Sequence, residues 1–183
     1  MHQGFSADCP VEVSALSFSA HFGAHADAHR HWDPQGAPIG ELSLHRFIGP
    51  CRLVDLADLD QAIVSAEPLP PRLLVRTGTS AGSSVWPALS APQVSALARR
   101  GIDLIGIDTL SIDAADSTEL PAHQAARLHG LIVLEGLLLK DVQPGDYELI
   151  ALPLKLMEAE ASPVRAILRR PAKLDSCGSP RGA

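Results

Sequence analysis

Three short aliphatic runs, RLLVRT from Arg72 to Thr77, IDLIGID and LIVLEG, are separated by stretches of helical pattern, and this alternation constrains the fold most. Between the first two lies SAPQVSALARRG, with Ser90 as N-cap, apolar residues at helical spacing and Gly101 at the C′ position. Pro121 opens another helix, carrying His123, Arg127 and His129. A further helix is expected from Leu59 to Ala66. Strands are also expected from Val11 to Phe18 (VEVSALSF), from Arg52 to Leu56 and over YELIALPLKL, with VRAILRR a last strand or short helix. PQGAPIG and GTSAGSS read as loops. Strands alternating with two or three helices argue an α/β fold.

Composition narrows the function classes. The chain has 183 residues, 46% of them apolar, and a chain of this size buries roughly 70% of its extended surface. It therefore needs neither disulfides nor structural metal, and any metal would be functional first. With 15 Lys+Arg against 21 Asp+Glu the net charge is -6, and no basic stripe could track phosphates, so nucleic acid is not an expected partner. Cys9, Cys51 and Cys177 form no C-x-x-C pair, which reads as a reduced, cytoplasmic protein. No leader pattern opens the chain, and Leu131 to Leu139 is interrupted by Glu135, so no membrane span is expected. A single domain is expected over residues 1–170, with 171–183 (PAKLDSCGSPRGA) a disordered tail.

Four of the eight histidines fall within HFGAHADAHRH: His21, His25, His29 and His31, with Asp27 among them. In an extended stretch all five share one parity, while Phe22, Ala24, Ala26 and Ala28 occupy the other, packing face. Gly23 allows the backbone to bend and would help His21, His25 and Asp27 converge. Two imidazoles and a carboxylate suit zinc, with manganese or iron as alternatives, and three protein ligands leave a position open for water. A surface histidine patch with incidental metal affinity is the competing reading.

The segment His21 Phe22 Gly23 Ala24 His25 Ala26 Asp27 Ala28 His29 Arg30 His31 resembles the signature of the cyclase-like metal-dependent amidohydrolases, His-Thr-Gly-Thr/Ala-His-x-Asp-Ala/Ser-Pro-x-His. The likeness continues through PQGAPIGELSLHRFIGPCRL, LIGIDTLSID, LEGLLLKDVQPGDYELIALPLKL and ASPVRAILR, and is strongest to the bacterial kynurenine formamidase branch. The resemblance implies a swivelling β/β/α domain with a mixed central sheet, a homodimer, and two zinc ions per subunit, with manganese as an alternative. It implies hydrolysis of N-formyl-L-kynurenine, a small formanilide, to L-kynurenine and formate in tryptophan degradation. By the same resemblance His21, His25 and Asp27 hold the first metal, and Asp27 bridges to a second held by His123 and Glu135, twelve residues apart. His31 takes the place of the catalytic histidine. No substrate-binding residue is assigned.

Three departures from the family pattern stand out. Phe22 replaces a threonine, His29 replaces a proline, and an N-terminal strand segment with a Trp-Pro-Gly-Asp type motif is expected to be missing. On the packing face Phe22 would overfill the core, and on the metal-facing parity His29 would add an imidazole. Two other functions stay open: a related amidohydrolase acting on another aryl or cyclic amide, as an isatin hydrolase does, and a degenerate metal-binding homologue without turnover. His45 and His129 match no ligand position and are expected to be surface or core residues.

Overall fold

The computed structural model of the chain describes residues 2–3, 11–79 and 82–170. The expected tail, Cys9 and Cys177 lie outside the described residues. In chain order the strands are β1 (His2–Gln3), β2 (Val13–Ser14), β3 (His25–Asp27), β4 (Ile48–Asp55), β5 (Arg72–Arg76), β6 (Leu104–Ile107), β7 (Ile132–Glu135), β8 (Gly145–Ile150), β9 (Ala161–Pro163) and β10 (Ile167–Arg169). The α-helices are α1 (Leu59–Val64), α2 (Ala91–Arg99) and α3 (Pro121–His129). Eight strands form one mixed sheet in the order β10-β8-β4-β5-β6-β7-β3-β9. Its centre, β4 to β7, is parallel, and antiparallel strands flank it on both sides.

Strands β5 to β7 carry runs of consecutive buried aliphatic residues because both faces of the sheet are covered there. Leu73, Val75, Ile105, Ile107 and Val133 pack in the core that includes Val94 and Leu97 of α2 and Ala122, Ala125 and Ala126 of α3. The alternate residues Leu74, Leu104, Ile132 and Leu134 pack on the other core, with Phe47, Leu137, Leu139 and Leu149. Each such side chain contributes about 1.5–3 kcal/mol by leaving water, so the two cores fix the parallel strands and with them the loops at their C-terminal ends.

Helix α2 begins as expected: Ser90 accepts from the Gln93 N–H and Gln93 reaches back to Ser90 in a capping box. The expected strand over Val11 to Phe18 is reduced to Val13–Ser14, which pairs only with β1. Val11, Val13, Leu16 and Phe18 are all exposed, so alternation there does not mark a buried face. YELIALPLKL likewise leaves the sheet after Ile150, apart from a single bridge from Pro153 to Val164. Cys51 is buried, where desolvation pushes its thiol up to about 12. Among the described residues no helix is long and apolar enough to cross a membrane.

Candidate metal centre

Strand register places the first ligand-type pair. In the β3–β7 ladder His25 stands opposite Glu135 and Asp27 opposite Val133. Two glycines make the bend next to them: Gly23 and Gly136 both have φ of 66°, and a Cβ on Gly136 would lie 2.6 Å from the Gly23 carbonyl oxygen. The His25 ring then folds back, its Nδ1 2.9 Å from the same Gly23 oxygen. Nδ1 thus donates to backbone and Nε2 is left facing inward.

Helix α3 delivers His123 from the other side. Leu120 enters it in the left-handed region (φ 49°) and supplies no side-chain cap, so the first N–H groups of the helix need another partner. Asp113 provides it, accepting from Ala122 N at 2.8 Å and His123 N at 3.0 Å, while its Oδ2 lies 2.6 Å from His123 Nδ1. One buried carboxylate therefore caps the helix and fixes the ring with Nε2 pointing at Asp27 and Glu135.

The inward atoms meet. His21 Nδ1 is 3.0 Å and His25 Nε2 3.5 Å from Asp27 Oδ1. His123 Nε2 is 3.7 Å from Asp27 Oδ2 and 3.4 Å from Glu135 Oε1, and His25 Nε2 is 3.5 Å from Glu135 Oε2. Asp27 is fully buried and His25, His123 and Glu135 nearly so. Buried polar atoms are normally hydrogen-bonded, yet His25 Nε2, both carboxylate oxygens of Asp27 and His123 Nε2 have no hydrogen-bond partner among the described residues. Unsatisfied nitrogen and oxygen atoms converging on one point are what a divalent cation satisfies. Glu135 Oε1 is also steadied by the Ile112 N–H at 2.7 Å.

The Asp27 carboxylate, 3.0 Å from its Nδ1, raises the pKa of His21 above the ordinary imidazole value. Burial works against charge on His25 and His123, but the facing Asp27 and Glu135 carboxylates outweigh it, and His123 reaches about 9. Burial likewise opposes ionisation of Asp27, and the facing His123 and His21 rings overcome it and hold its carboxyl well below the usual range. His31 behaves differently. Its ring lies tilted against His21 at 4.4 Å and edge-on to His123 at 5.9 Å, and desolvation keeps its pKa below the ordinary value despite the pull of Asp27. Among His21, His25, His31 and His123 it is the one whose pKa moves downward.

All six expected site residues are thus brought to one place, although the grouping differs from the expected division. The ligand atoms of His21, Asp27 and His31 lie close enough to hold one ion, and those of His25, Asp27 and Glu135 another. Two expectations for the departures are corrected. Phe22 is not on a packing face: it is 66% exposed and stacks on Phe18 at 5.9 Å. His29 is not on the metal-facing side, because the strand ends at Asp27 and His29–His31 form a 3-10 turn. Its Nε2 lies 3.1 Å from the Gly130 carbonyl and 3.2 Å from Arg46 Nη1. His45 and His129 are exposed, as expected.

Sequence reasoning gave no role to Asp113 or Trp32. Trp32 packs at 5.4 Å on His123 and 5.7 Å on His31. Beside the centre opens a cleft of about 560 Å³, which Gly23 and Gly136 join to the cluster and Trp86, Asp108, Leu110, Leu138, Lys140 and Asp141 line. It lies at the C-terminal ends of the parallel strands, where open α/β sheets bind ligands.

Comparison with known proteins places the chain among the cyclases. Residues 2–114 match the family model Cyclase, described as "Putative cyclase". Kynurenine formamidase of Paracidovorax citrulli (strain AAC00-1) is 52% identical over 90% of this chain and 82% of its own. The protein of the same name from Polaromonas naphthalenivorans (strain CJ2) is 49% identical over 92% and 79%. A protein from Bacillus stearothermophilus described as a "predicted metal-dependent hydrolase" superposes with a TM-score of 0.76 at 29% identity, covering 92% of this chain and 84% of that one. Isatin hydrolase A from Labrenzia aggregata shares the fold, with a TM-score of 0.75 at 23% identity over 91% and 80%.

Proposed function

The chain belongs to the cyclase family, and from that premise we propose that it is an amidohydrolase converting N-formyl-L-kynurenine to L-kynurenine and formate. The observation that carries this reading is the set of unsatisfied atoms on His25, Asp27 and His123, in a chain half identical to kynurenine formamidases over nine-tenths of its length. His21, His25, Asp27, His123 and Glu135 are the residues that would hold a pair of divalent cations. Zinc suits the mixed imidazole and carboxylate donors, with manganese as the alternative. A cation bound there supplies Lewis acidity, acidifying water and polarising a carbonyl.

The chain's own residues handle the proton. Water adds to the formyl carbon, the C–N bond breaks, and the aniline nitrogen leaves only if it gains a proton. His31, neutral near pH 7 and beside the cluster, takes the proton from the attacking water and returns it to that nitrogen. Trp32 holds the His31 ring from behind, and the adjoining cleft receives the rest of the substrate. We take residues 1–170 as one hydrolase domain, acting in the cytoplasm as a homodimer.

The test is a substrate comparison on the full chain supplied with zinc. Formate release from N-formyl-L-kynurenine, with slower or no opening of isatin, is expected. Hydrolysis of isatin without formate release would assign the site to cyclic amides instead.

A further inference from the structure

The cleft beside the metal centre carries a pair of opposite charges with no ion-pair partner among the described residues. The segment from Leu137 to Asp141 leaves β7 and is pinned at both ends. Gly136 N donates to Thr109 O at 2.8 Å and Leu137 N to Ile107 O at 3.1 Å. At the far end Arg76, itself paired with Asp55 at 2.6 Å, donates to the Val142 carbonyl at 2.6 Å. Between these anchors Leu137 and Leu139 are buried in the core, whereas Leu138, Lys140 and Asp141 are exposed and line the cleft.

Among the described residues neither Lys140 nor Asp141 has an ion-pair or hydrogen-bond partner. The third charged group of the cleft, Asp108, is already committed: it accepts from Thr77 N, Thr77 Oγ1 and Gly78 N. A rigid rim thus presents one available cation and one available carboxylate next to an apolar wall of Leu110, Leu138 and Trp86. A molecule matching that surface has an aryl body and a zwitterionic head.

We propose that Lys140 and Asp141 are specificity-determining residues that bind the amino-acid head of the substrate, Lys140 the α-carboxylate and Asp141 the α-ammonium. This rests on the formamidase reading above. It divides the substrate between two places: the formanilide end at the histidine cluster and the zwitterion at the rim. Neither side chain takes part in the proton transfer, so their contribution is to binding.

The experiment is equilibrium binding of L-kynurenine and of 2-aminoacetophenone, which keeps the aryl ketone and lacks the amino-acid head, to the wild type, Lys140→Gln and Asp141→Asn. KM and kcat are measured alongside for N-formyl-L-kynurenine and formanilide. Loss of a charge-assisted contact is expected to weaken L-kynurenine about tenfold or more in each variant, with 2-aminoacetophenone unchanged. KM should rise for N-formyl-L-kynurenine alone, at constant kcat. Equal effects on both ligands, or none on either, overturn the assignment while leaving a wild type active on N-formyl-L-kynurenine as a formamidase. A wild type inactive on every formanilide overturns the underlying reading and this assignment with it.

Discussion

Asp113 Oδ2 lies 2.6 Å from His123 Nδ1, and the same carboxylate accepts the backbone N–H groups of Ala122 and His123. The start of α3 and the orientation of a proposed metal ligand therefore depend on one side chain. Outer partners of this kind change metal affinity about 10–100-fold when removed. Asp113→Ala should lower zinc affinity by that factor, measured by competition titration of metal-free protein. Unchanged affinity would mean that packing against Trp32 alone holds the ring.

His31→Ala should leave metal content intact and reduce turnover by about 10²–10⁴, the range of an acid–base group. Its ligand atom can also join those of His21 and Asp27 around one ion, which gives the experiment its edge. Elemental analysis of the purified variant decides: loss of metal would make His31 a ligand.

The metal-free protein should respond to pH in a direction that the cluster fixes. His123 rises from 6.5 in the unfolded chain to about 9 in the fold, so the folded state binds the extra proton. Its contribution to stability is complete below about pH 6.5 and is lost as pH climbs through about 9. Cations compete for the same atoms, so zinc binding should strengthen over that interval with release of protons. Urea denaturation of metal-free and zinc-loaded protein at both ends tests this. A metal-free protein equally stable at both, with zinc affinity independent of pH, would contradict the arrangement.

The two departures in the histidine segment should both be mild. Phe22 is exposed, so Phe22→Thr should change stability within about 0.5 kcal/mol, as ordinary surface substitutions do. Ala28 already has φ -91° and ψ 167°, the extended conformation that proline requires of its predecessor. Arg46 keeps its contacts with Asp103 and the Gly130 carbonyl when the imidazole goes. His29→Pro should therefore fold and retain its metal, checked by thermal melting and elemental analysis. Loss of metal would show that the His29 contact, not the strand, sets the position of His31.

Gly136→Ala should be the damaging change. It combines a positive φ with a Cβ 2.6 Å from the Gly23 oxygen, and strain of this kind costs about 1–3 kcal/mol. The bend it disturbs lies beside Glu135 and the Gly23 carbonyl that orients His25, so metal content should fall with stability. A variant that melts lower but keeps full metal would separate the bend from the site.

What could be read in the sequence was whatever repeats locally or keeps its spacing. The parallel strands, the Ser90 cap and the helix carrying His123 are periodic or punctuated signals, and all are present. The ligand-type residues lay in a recognisable order, so His21, His25, Asp27, His31, His123 and Glu135 could be named before their approach was seen. Parity failed where the strand stopped: His29 and His31 belong to a turn, which sends His29 to Gly130 and leaves His31 with the cluster. VEVSALSF alternated, yet Val11, Val13, Leu16 and Phe18 stay exposed, since packing is settled by distant residues. Asp113 was invisible for the same reason, the ring that gives it meaning lying ten residues away and touched only after folding.

The most direct test of the central claim is metal content and N-formyl-L-kynurenine hydrolysis measured on the same sample of the 183-residue chain, before and after chelation and after zinc is restored. About two equivalents of metal are predicted, with turnover that disappears on chelation and returns with zinc. Turnover that survives complete removal of metal, or full occupancy with no release of formate, would contradict it.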